Sequence, residues 1–585
     1  MILNMFPTFV GTFNHTGMKR IISLLSSYIK MVLITLATAI VMTLTTIPAS
    51  AQYYMNIRKS DGASVQYVVT DIDSVWFSQT IKPIDGDTTD IEGDTDNIYR
   101  TTLFVPGFVR QHREQLDACI FSEALFATHL NDSLVQYLDW NYLGSESGTS
   151  RMDFLENGVS TETVNMPNGK ESVVYPLQRM FKYTYFIVPD AVLKSTYGIN
   201  NLDELRLYAE SVYPEGAGKE DYDRESSLNL LISYHILPFE LTPNQLNASQ
   251  KNILANRNYL DELDVEDFYT TMLPHSLMRI STAYDNGEAI GTFINRKGTA
   301  KMGNLLPGVK IREHNVTDKD TLAINGCYYL IDSLLCYNNY VRRKVLDTRL
   351  RFMATTLSPD FINSGARGRL GNTPKSKYVA SFVSGFCDNF EWNSSSKLYV
   401  NYREVSNPAL YGDEVIFGEI SDITLHLPPV PYDSEYEIRI WNNAKRFPHS
   451  MGIQQFFFAG SDKSWEPHGI PADFRQSASE YKFGFVPDEE YDNLSPDERE
   501  KAIRDNDNLM RKRGYMKSPD IYMDNRNNPD CYRKIICRRE MKAGQDYYLR
   551  IRNVIEQVGP NFSFSFIEIV PKSVYSGVNG LEDRH

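Results

Sequence analysis

The chain has 585 residues, with 60 Lys plus Arg against 74 Asp plus Glu and a formal charge of −14 at pH 7. An acidic balance without Lys/Arg clusters excludes a general binder of nucleic acid or anionic lipid. Six cysteines over this length exclude a disulfide framework, so core burial must hold the fold, and 12% aromatics with 36 Tyr suit a strand-rich exported protein.

Export is written at the start of the chain. Lys19, Arg20 and Lys30 form a positive n-region, and Met31 to Pro48 is an uncharged apolar run. Ala49-Ser50-Ala51 then gives the small-x-small pattern ahead of Gln52. This predicts a signal peptide over 1–51, most naturally starting at Met18. The alternative is an uncleaved anchor, since 18 residues just reach across a bilayer core. Cleavage would move the charge from −14 to −17, because the segment carries three bases and no acid. No later apolar run reaches spanning length, so no integral membrane segment is expected after cleavage. The expected location is the outer membrane, the cell surface or the periplasm.

Residues 52–79 carry two short alternating runs around Ser60-Asp61-Gly62, a hairpin turn signal. Residues 80–100 are acidic. Asp85, Asp87 and Asp90 invite a calcium reading, but the full D-x-D-x-D-G loop with its closing Glu is missing, so a solvated linker is expected.

From Thr101 to Met353 helical and strand patterns mix. Arg110 to Tyr137 has Leu116, Ile120, Leu125, Leu130 and Leu134 at helical spacing. Gly144 to Lys170 reads as a loop or insertion, with further insertions at Tyr213 to Arg224 and within Leu260 to Asn286. Thr184 to Val188 reads as a strand stopped by Pro189. Leu202 to Glu210 and Ser226 to His235 read as helices, the second capped by Ser226. Thr292 to Ile294, Gly308 to Glu313 and Tyr328 to Leu335 read as strands, giving an α+β unit with helices early and strands late.

From Ser358 to Tyr575 short strands recur. They are Lys377 to Val383, Leu398 to Tyr402, Glu414 to Ile420, Asp422 to Leu427, Glu435 to Trp441, Ile453 to Phe458, Tyr481 to Val486, Tyr547 to Ile551 and Phe562 to Val570. Many alternate apolar with polar, which predicts sheets with one buried face and a jelly-roll-like β-sandwich. One helix interrupts them, opened by Ser495 and Pro496, with acids in its first turn, and closed at Gly514 with Arg511 to Arg513 in its last turn. Among the cysteines, Cys531 and Cys537 are spaced to close a small loop and Cys327 and Cys336 flank a strand-turn segment. Cys119 and Cys387 read as buried thiols, and no pair has CxxC spacing.

Three ordered segments carry a family resemblance: Tyr183 to Asp190, Leu231 to Leu237 with its Tyr234-His235 pair, and Ile324 to Leu335 with Asn325-Gly326 and Ile331-Asp332. Together they resemble the signature segments of a fasciclin domain, here about 240 residues long and therefore insertion-bearing. The short element after residue 52 is similar to one found behind the signal peptide of exported proteins from anaerobic Gram-negative bacteria. Asn325-Gly326 suits a tight hairpin turn by residue type. The resemblance implies adhesion through protein or glycan contacts without a defined catalytic centre. It also marks Tyr234 and His235 as a segment discussed as an interaction motif, against which stands the reading of a buried pair that locks the fold. Gly544 to Arg552 and Phe562 to Pro571 resemble the closing strands of galactose-binding-like modules. Tyr411, Trp441 and Trp465 are the aromatics that could stack on sugar faces, if exposed rather than packed.

Catalytic motifs such as GxSxG, HExxH, a P-loop or a strand-borne GxGxxG do not occur, and the histidines show no metal-ligand spacing. Neither cofactor nor metal is expected. Asp-Ser/Thr-aliphatic triplets, including Asp132-Ser133-Leu134 and Asp332-Ser333-Leu334, resemble bacterial O-glycosylation acceptors. The expected fold is multidomain: an α+β fasciclin-like domain over 101–353, an all-β jelly-roll-like sandwich over 358–575, and a tail over 576–585. The expected function is adhesion or binding of a surface glycan or extracellular protein. The alternatives are a glycan-processing hydrolase working through the β-rich region and a structural component of a surface assembly.

Overall fold

A computed structural model describes residues 54–58, 64–68, 105–134, 139, 159–166, 169–176, 179–246, 265–285, 288–298, 305–312, 325–367, 378–393, 397–402, 413–418, 421–444, 452–519, 525–555 and 560–576. Two compact units divide the chain at Gly93 and Asp94. In the first, strands Tyr54–Arg58 and Ser64–Val68 pair antiparallel as the sequence predicts. The turn residues between them, the signal segment and the acidic linker lie outside the described residues.

The second unit is mostly strands in several sheets with a few helices. At the heart of its α+β part, strand Tyr183–Ile187 is buried along its whole length. It pairs parallel with Gly326–Leu330 on one side and antiparallel with Ile236–Leu237 on the other. Helices Val105–Gln111, Cys119–Ala127, Leu202–Val212 and Ser227–Tyr234 contribute apolar side chains to the core around it. The side chain of Ser226 caps the last of these by accepting from Asn229 N at 3.2 Å. Among the described residues the helical spacing read over 110–137 falls in short helices, with Asp117 and His129 at positive φ (52° and 53°) between them.

Asn325-Gly326 does not make a hairpin turn. Gly326 opens a strand parallel to Tyr183–Ile187, with φ at 142°, and a Cβ there would lie 1.9 Å from Tyr183 O. Asn325 is fully buried and works as a splice, its Oδ1 accepting from Val105 N (3.0 Å) and its own carbonyl from Tyr183 N (2.9 Å). The predicted strand over 328–335 stops at Leu330.

Two supposed insertions are regular structure. Val265–Thr270, Leu277–Asp285, Glu288–Ile294 and Val309–Lys310 form a four-stranded antiparallel sheet. Adjacent residues there face opposite ways, so Phe268 and Leu277 join one core while Tyr269 and Met278 join the other. Val159–Met166 and Gly169–Pro176 form a hairpin that extends a six-stranded sheet through Lys397–Tyr402, Asp413–Gly418, Tyr378–Phe382 and Pro560–Phe564. Hydrogen bonding also crosses residue 353, since Leu350–Met353 pairs with Phe566–Pro571.

Two five-stranded antiparallel sheets complete the unit. The first, here the charged sheet, orders Leu350–Met353, Phe566–Pro571, Ser434–Asn443, Cys531–Met541 and Tyr515–Lys517. The second, the histidine sheet, orders Phe390–Trp392, Asp422–His426, Tyr548–Asn553, Ile453–Ala459 and Glu466–Asp473. The run Phe562 to Val570 is therefore two strands in two sheets, switching at the buried Ser565. Tyr481 to Val486 is turn and irregular chain, not a strand. Cys531 and Cys537 sit on one extended strand, and all six cysteines are free thiols. Helix Pro496–Lys512 forms as predicted, with a Ser495–Glu498 capping box. Among the described residues no helix is long and apolar enough to cross a membrane.

Because the Gly326 Cβ position is filled by backbone, Gly326→Ala should destabilise the fold by about 3 kcal/mol or more. Urea unfolding followed by tyrosine fluorescence would measure this, and a change under about 1 kcal/mol would show that the strand can shift.

Candidate functional site

Tyr234 and His235 end the helix Ser227–Tyr234, and both are 0% exposed. The Tyr234 hydroxyl donates to Leu277 O (2.9 Å) and accepts from Asn295 Nδ2 (3.0 Å), tying the helix end to strand Leu277–Asp285 and to the residue just after Glu288–Ile294. His235 Nε2 accepts from Leu335 N (3.1 Å), which leaves the proton on Nδ1, facing Leu231 O at 2.9 Å. Burial pushes this imidazole down to about 4, against a weaker upward pull from its bond to Leu231. The pair is a lock inside the core and has no surface with which to meet a partner.

The aromatics divide. Trp441 is 1% exposed, donates its indole N–H to Ser518 Oγ (2.7 Å) and stacks on Phe566, so it cannot stack on a sugar. It faces inward because the segments carrying Arg511 and Ser518 lie over this part of the sheet's second face. Trp465 is half-buried, with the Arg550 guanidinium 6.0 Å from its ring. Tyr411 lies outside the described residues. Ser333 of the second triplet bonds the Tyr197 hydroxyl, so its oxygen is already engaged.

The covered face of the charged sheet holds the most unusual chemistry of the fold. Glu568 and Glu437 are each 0% exposed. Glu568 takes Arg351 (2.7 Å), Arg439 (3.2 Å) and Arg533 (3.4 Å), while Glu437 takes Arg439 (2.6 Å), Arg511 (2.9 Å) and Arg538 (2.7 Å). Burial pushes the Glu568 carboxyl up, and Arg533, Arg351, Arg349 and Arg439 more than reverse it, holding it well below the ordinary carboxylate range. A second closed network joins Asp488 and Asp507 to Lys517 and Arg526, with contacts of 2.5 to 2.9 Å. The alternation in Tyr436 to Trp441 and Phe566 to Val570 is the signal for these residues, but it suggests a solvated face. Both networks bond within the fold and hold it together.

The accessible constellation lies elsewhere, at one end of the histidine sheet. His275 Nε2 and His426 Nε2 each sit 3.1 Å from Asp546 Oδ1, with the three side chains 35–39% exposed. His426 ends strand Asp422–His426 and stacks on its cross-strand partner Tyr548, ring centroids 4.9 Å apart. Lys463 Nζ lies 4.8 Å over the same Tyr548 ring and bonds Glu391 at 3.0 Å. Asn389 Nδ2 donates to Leu357 O (3.0 Å), which turns its Oδ1 toward His426 Nδ1 at 3.2 Å. With Nδ1 donating there, the ring can also donate to Asp546 only as an imidazolium. His275, Asn389 and Lys463 have positive φ (55°, 68° and 51°), three of the six described non-glycine residues that do. Such strained positions gather where surrounding structure fixes a site. Residues 275, 389, 426, 463 and 546 meet only through topology, and no spacing in the sequence could have joined them. Among the described residues no cluster of His, Cys, Asp and Glu is arranged to hold a metal ion.

No family model matches this chain, and no curated protein matches it.

Two consequences can be measured. Between pH 6.5 and about 4 the unfolded chain binds a proton at His235 that the folded chain excludes. This contribution is therefore complete above the unfolded pKa and is lost as pH falls toward the folded one, roughly 3 kcal/mol in all. His235→Gln should flatten the slope of urea-unfolding stability across that window, and an unchanged slope would refute the assignment. Glu568→Gln should lower stability by about 3–5 kcal/mol, because it leaves buried guanidinium groups short of their counter-charge. A loss below about 1 kcal/mol in the same unfolding assay would show that solvent reaches this face.

Proposed function

We propose that this chain is an exported binding protein that holds a surface glycan or an extracellular protein through the loop end of the histidine sheet. The observation that carries the reading is the partly exposed set His275, Asp546, His426, Tyr548 and Lys463. It presents imidazole N–H donors, a carboxylate acceptor, an ammonium and an aromatic ring on segments anchored by rigid strands. Polar groups fixed at strand ends are the usual material of recognition sites, since they offer directional bonds at little ordering cost. Export rests on the residues of the n-region and the Ala49-Ser50-Ala51 pattern.

The fasciclin resemblance belongs to the same proposal. In its favour, the segments that carry it contribute the three strands of a single sheet, Tyr183–Ile187 between Ile236–Leu237 and Gly326–Leu330. The sandwich-like, galactose-binding-type reading of the C-terminal part is supported by its stacked antiparallel strands and by the sheet switch at Ser565.

A second reading has its own observation. A carboxylate bonded to an imidazole, as in Asp546 and His275, is also the orienting half of a general base. A glycan array probed with the intact chain, scored beside reducing-end release from the same glycans, separates the two. Binding without release, weakened about 10-fold or more by His426→Ala and by Asp546→Asn, is the expected outcome. Release that both variants abolish would instead make the chain a hydrolase, and binding that neither variant alters would remove this site from the reading.

A further inference from the structure

In a chain of formal charge −14, one surface collects cations that bond no carboxylate. Lys534 stands opposite Tyr515 in the register of the charged sheet. Its Nζ donates to Gly514 O (3.1 Å) and lies 4.3 Å over the Tyr515 ring. Burial first, and then the neighbouring Lys482 ammonium, push Lys534 down to about 8. Arg513 ends helix Pro496–Lys512, donates to Tyr481 O (2.6 Å) and rests 5.4 Å over the Tyr481 ring. Lys482 is exposed, 5.0 Å from the centre of the Phe483 ring. Phe483 is itself buried and stands 4.3 Å from Tyr515, so the rings under Lys482 and Lys534 pack on one another. The nearby carboxylate, Asp473, feels the Lys482 ammonium but bonds Arg475, in two contacts of 2.8 Å.

None of the three cations forms an ion pair with a described residue. Their acceptors are backbone carbonyls and aromatic faces, which orient a cation without neutralising it. Tyr481 is 89% exposed, a large ring left in water beside them. An oxyanion would satisfy the charges, and the carbon face of a sugar ring would cover the aromatic surface.

We propose that Lys482, Arg513 and Lys534, with the open ring of Tyr481, form a site for an oxyanion carried on a saccharide, that is, a carboxylate or sulfate group of an acidic glycan. The proposal goes beyond the binding reading above, because it concerns a different surface and does not rest on the histidine sheet.

Fluorescence anisotropy of the intact chain with labelled dextran sulfate, polygalacturonate oligomers, neutral dextran and polyglutamate tests it. Dextran sulfate or polygalacturonate should bind while neutral dextran does not, and added salt should weaken binding. Tyr481→Ala and Lys482→Glu change exposed residues, so they should keep the fold, and each should lower affinity about 5- to 10-fold. Lys194→Glu, which removes an exposed cation of the α+β part, should leave this affinity unchanged. Preference for the sulfated or the uronate polymer identifies which oxyanion is recognised. Equal binding of neutral dextran, tighter binding of polyglutamate, or wild-type affinity in both patch variants would overturn the proposal. Loss of binding in His426→Ala alone would place the ligand at the histidine sheet, removing this site while leaving the preceding reading intact.

Discussion

Glu568 is the constraint around which the C-terminal part is organised. A carboxylate removed from water costs several kcal/mol unless cations and hydrogen bonds replace the lost hydration. Here Arg351 comes from one edge of the charged sheet, Arg439 from its centre and Arg533 from the next strand. Three strands must therefore be in register with Glu568's own before this charge is compensated. Arg439 also reaches Glu437, which carries the chain of charge on to Arg511 at the end of helix Pro496–Lys512. The helix is thereby fixed to the sheet by a bond whose loss would leave a buried charge. A one-residue slip in any of these strands would place arginines in the apolar core on the opposite face, where Ile438, Ile440, Ile567 and Ile569 lie.

This arrangement explains what a pattern search sees and misses. Alternation over Tyr436 to Trp441 correctly gives a strand with two unlike faces. It also suggests that the face carrying Glu437, Arg439 and Trp441 is wet, because charge in a sequence normally marks solvent. Which segment covers a sheet is a tertiary fact, and here Arg511 and Ser518 reach that face from far along the chain. Cys531–Met541 escapes for a related reason: its register shifts between Ile438 and Arg439 of its partner, and the bulge breaks the period that alternation relies on. Local signals fare better. Ser226, Ser495 with Pro496, and Gly514 act through bonds within a few residues, so they mark helix ends whatever the rest of the chain does.

The central sheet of the α+β part shows the same division. Thr184 to Val188 is legible because five consecutive buried residues ending at a proline suit a strand enclosed on both sides. Asn325-Gly326 misleads because the dipeptide has two uses. As a turn it supplies positive φ at two positions; here only Gly326 has it, to let two backbones approach, while Asn325 turns its amide inward as a splice. His235 is similar in kind. Its burial is suggested by the apolar helix before it, but its role depends on Leu335 N, 100 residues away.

Neighbouring residues of the C-terminal part separate structural charge from available charge. Arg533 and Lys534 are consecutive on one strand and so point to opposite faces. Arg533 bonds Glu568, while Lys534 has only a carbonyl and a ring. Arg511 and Arg513 are two apart at a helix end, a spacing that turns them to opposite sides. Arg511 bonds Glu437, while Arg513 rests on Tyr481. In both pairs one cation meets a carboxylate that the fold cannot lose, and the other, turned the opposite way, meets none. A purely structural role would require only the first member of each pair. The second members are turned to their side by the same strand and helix geometry that builds the network, so two of the three cations are held in place by regular structure before a ligand arrives.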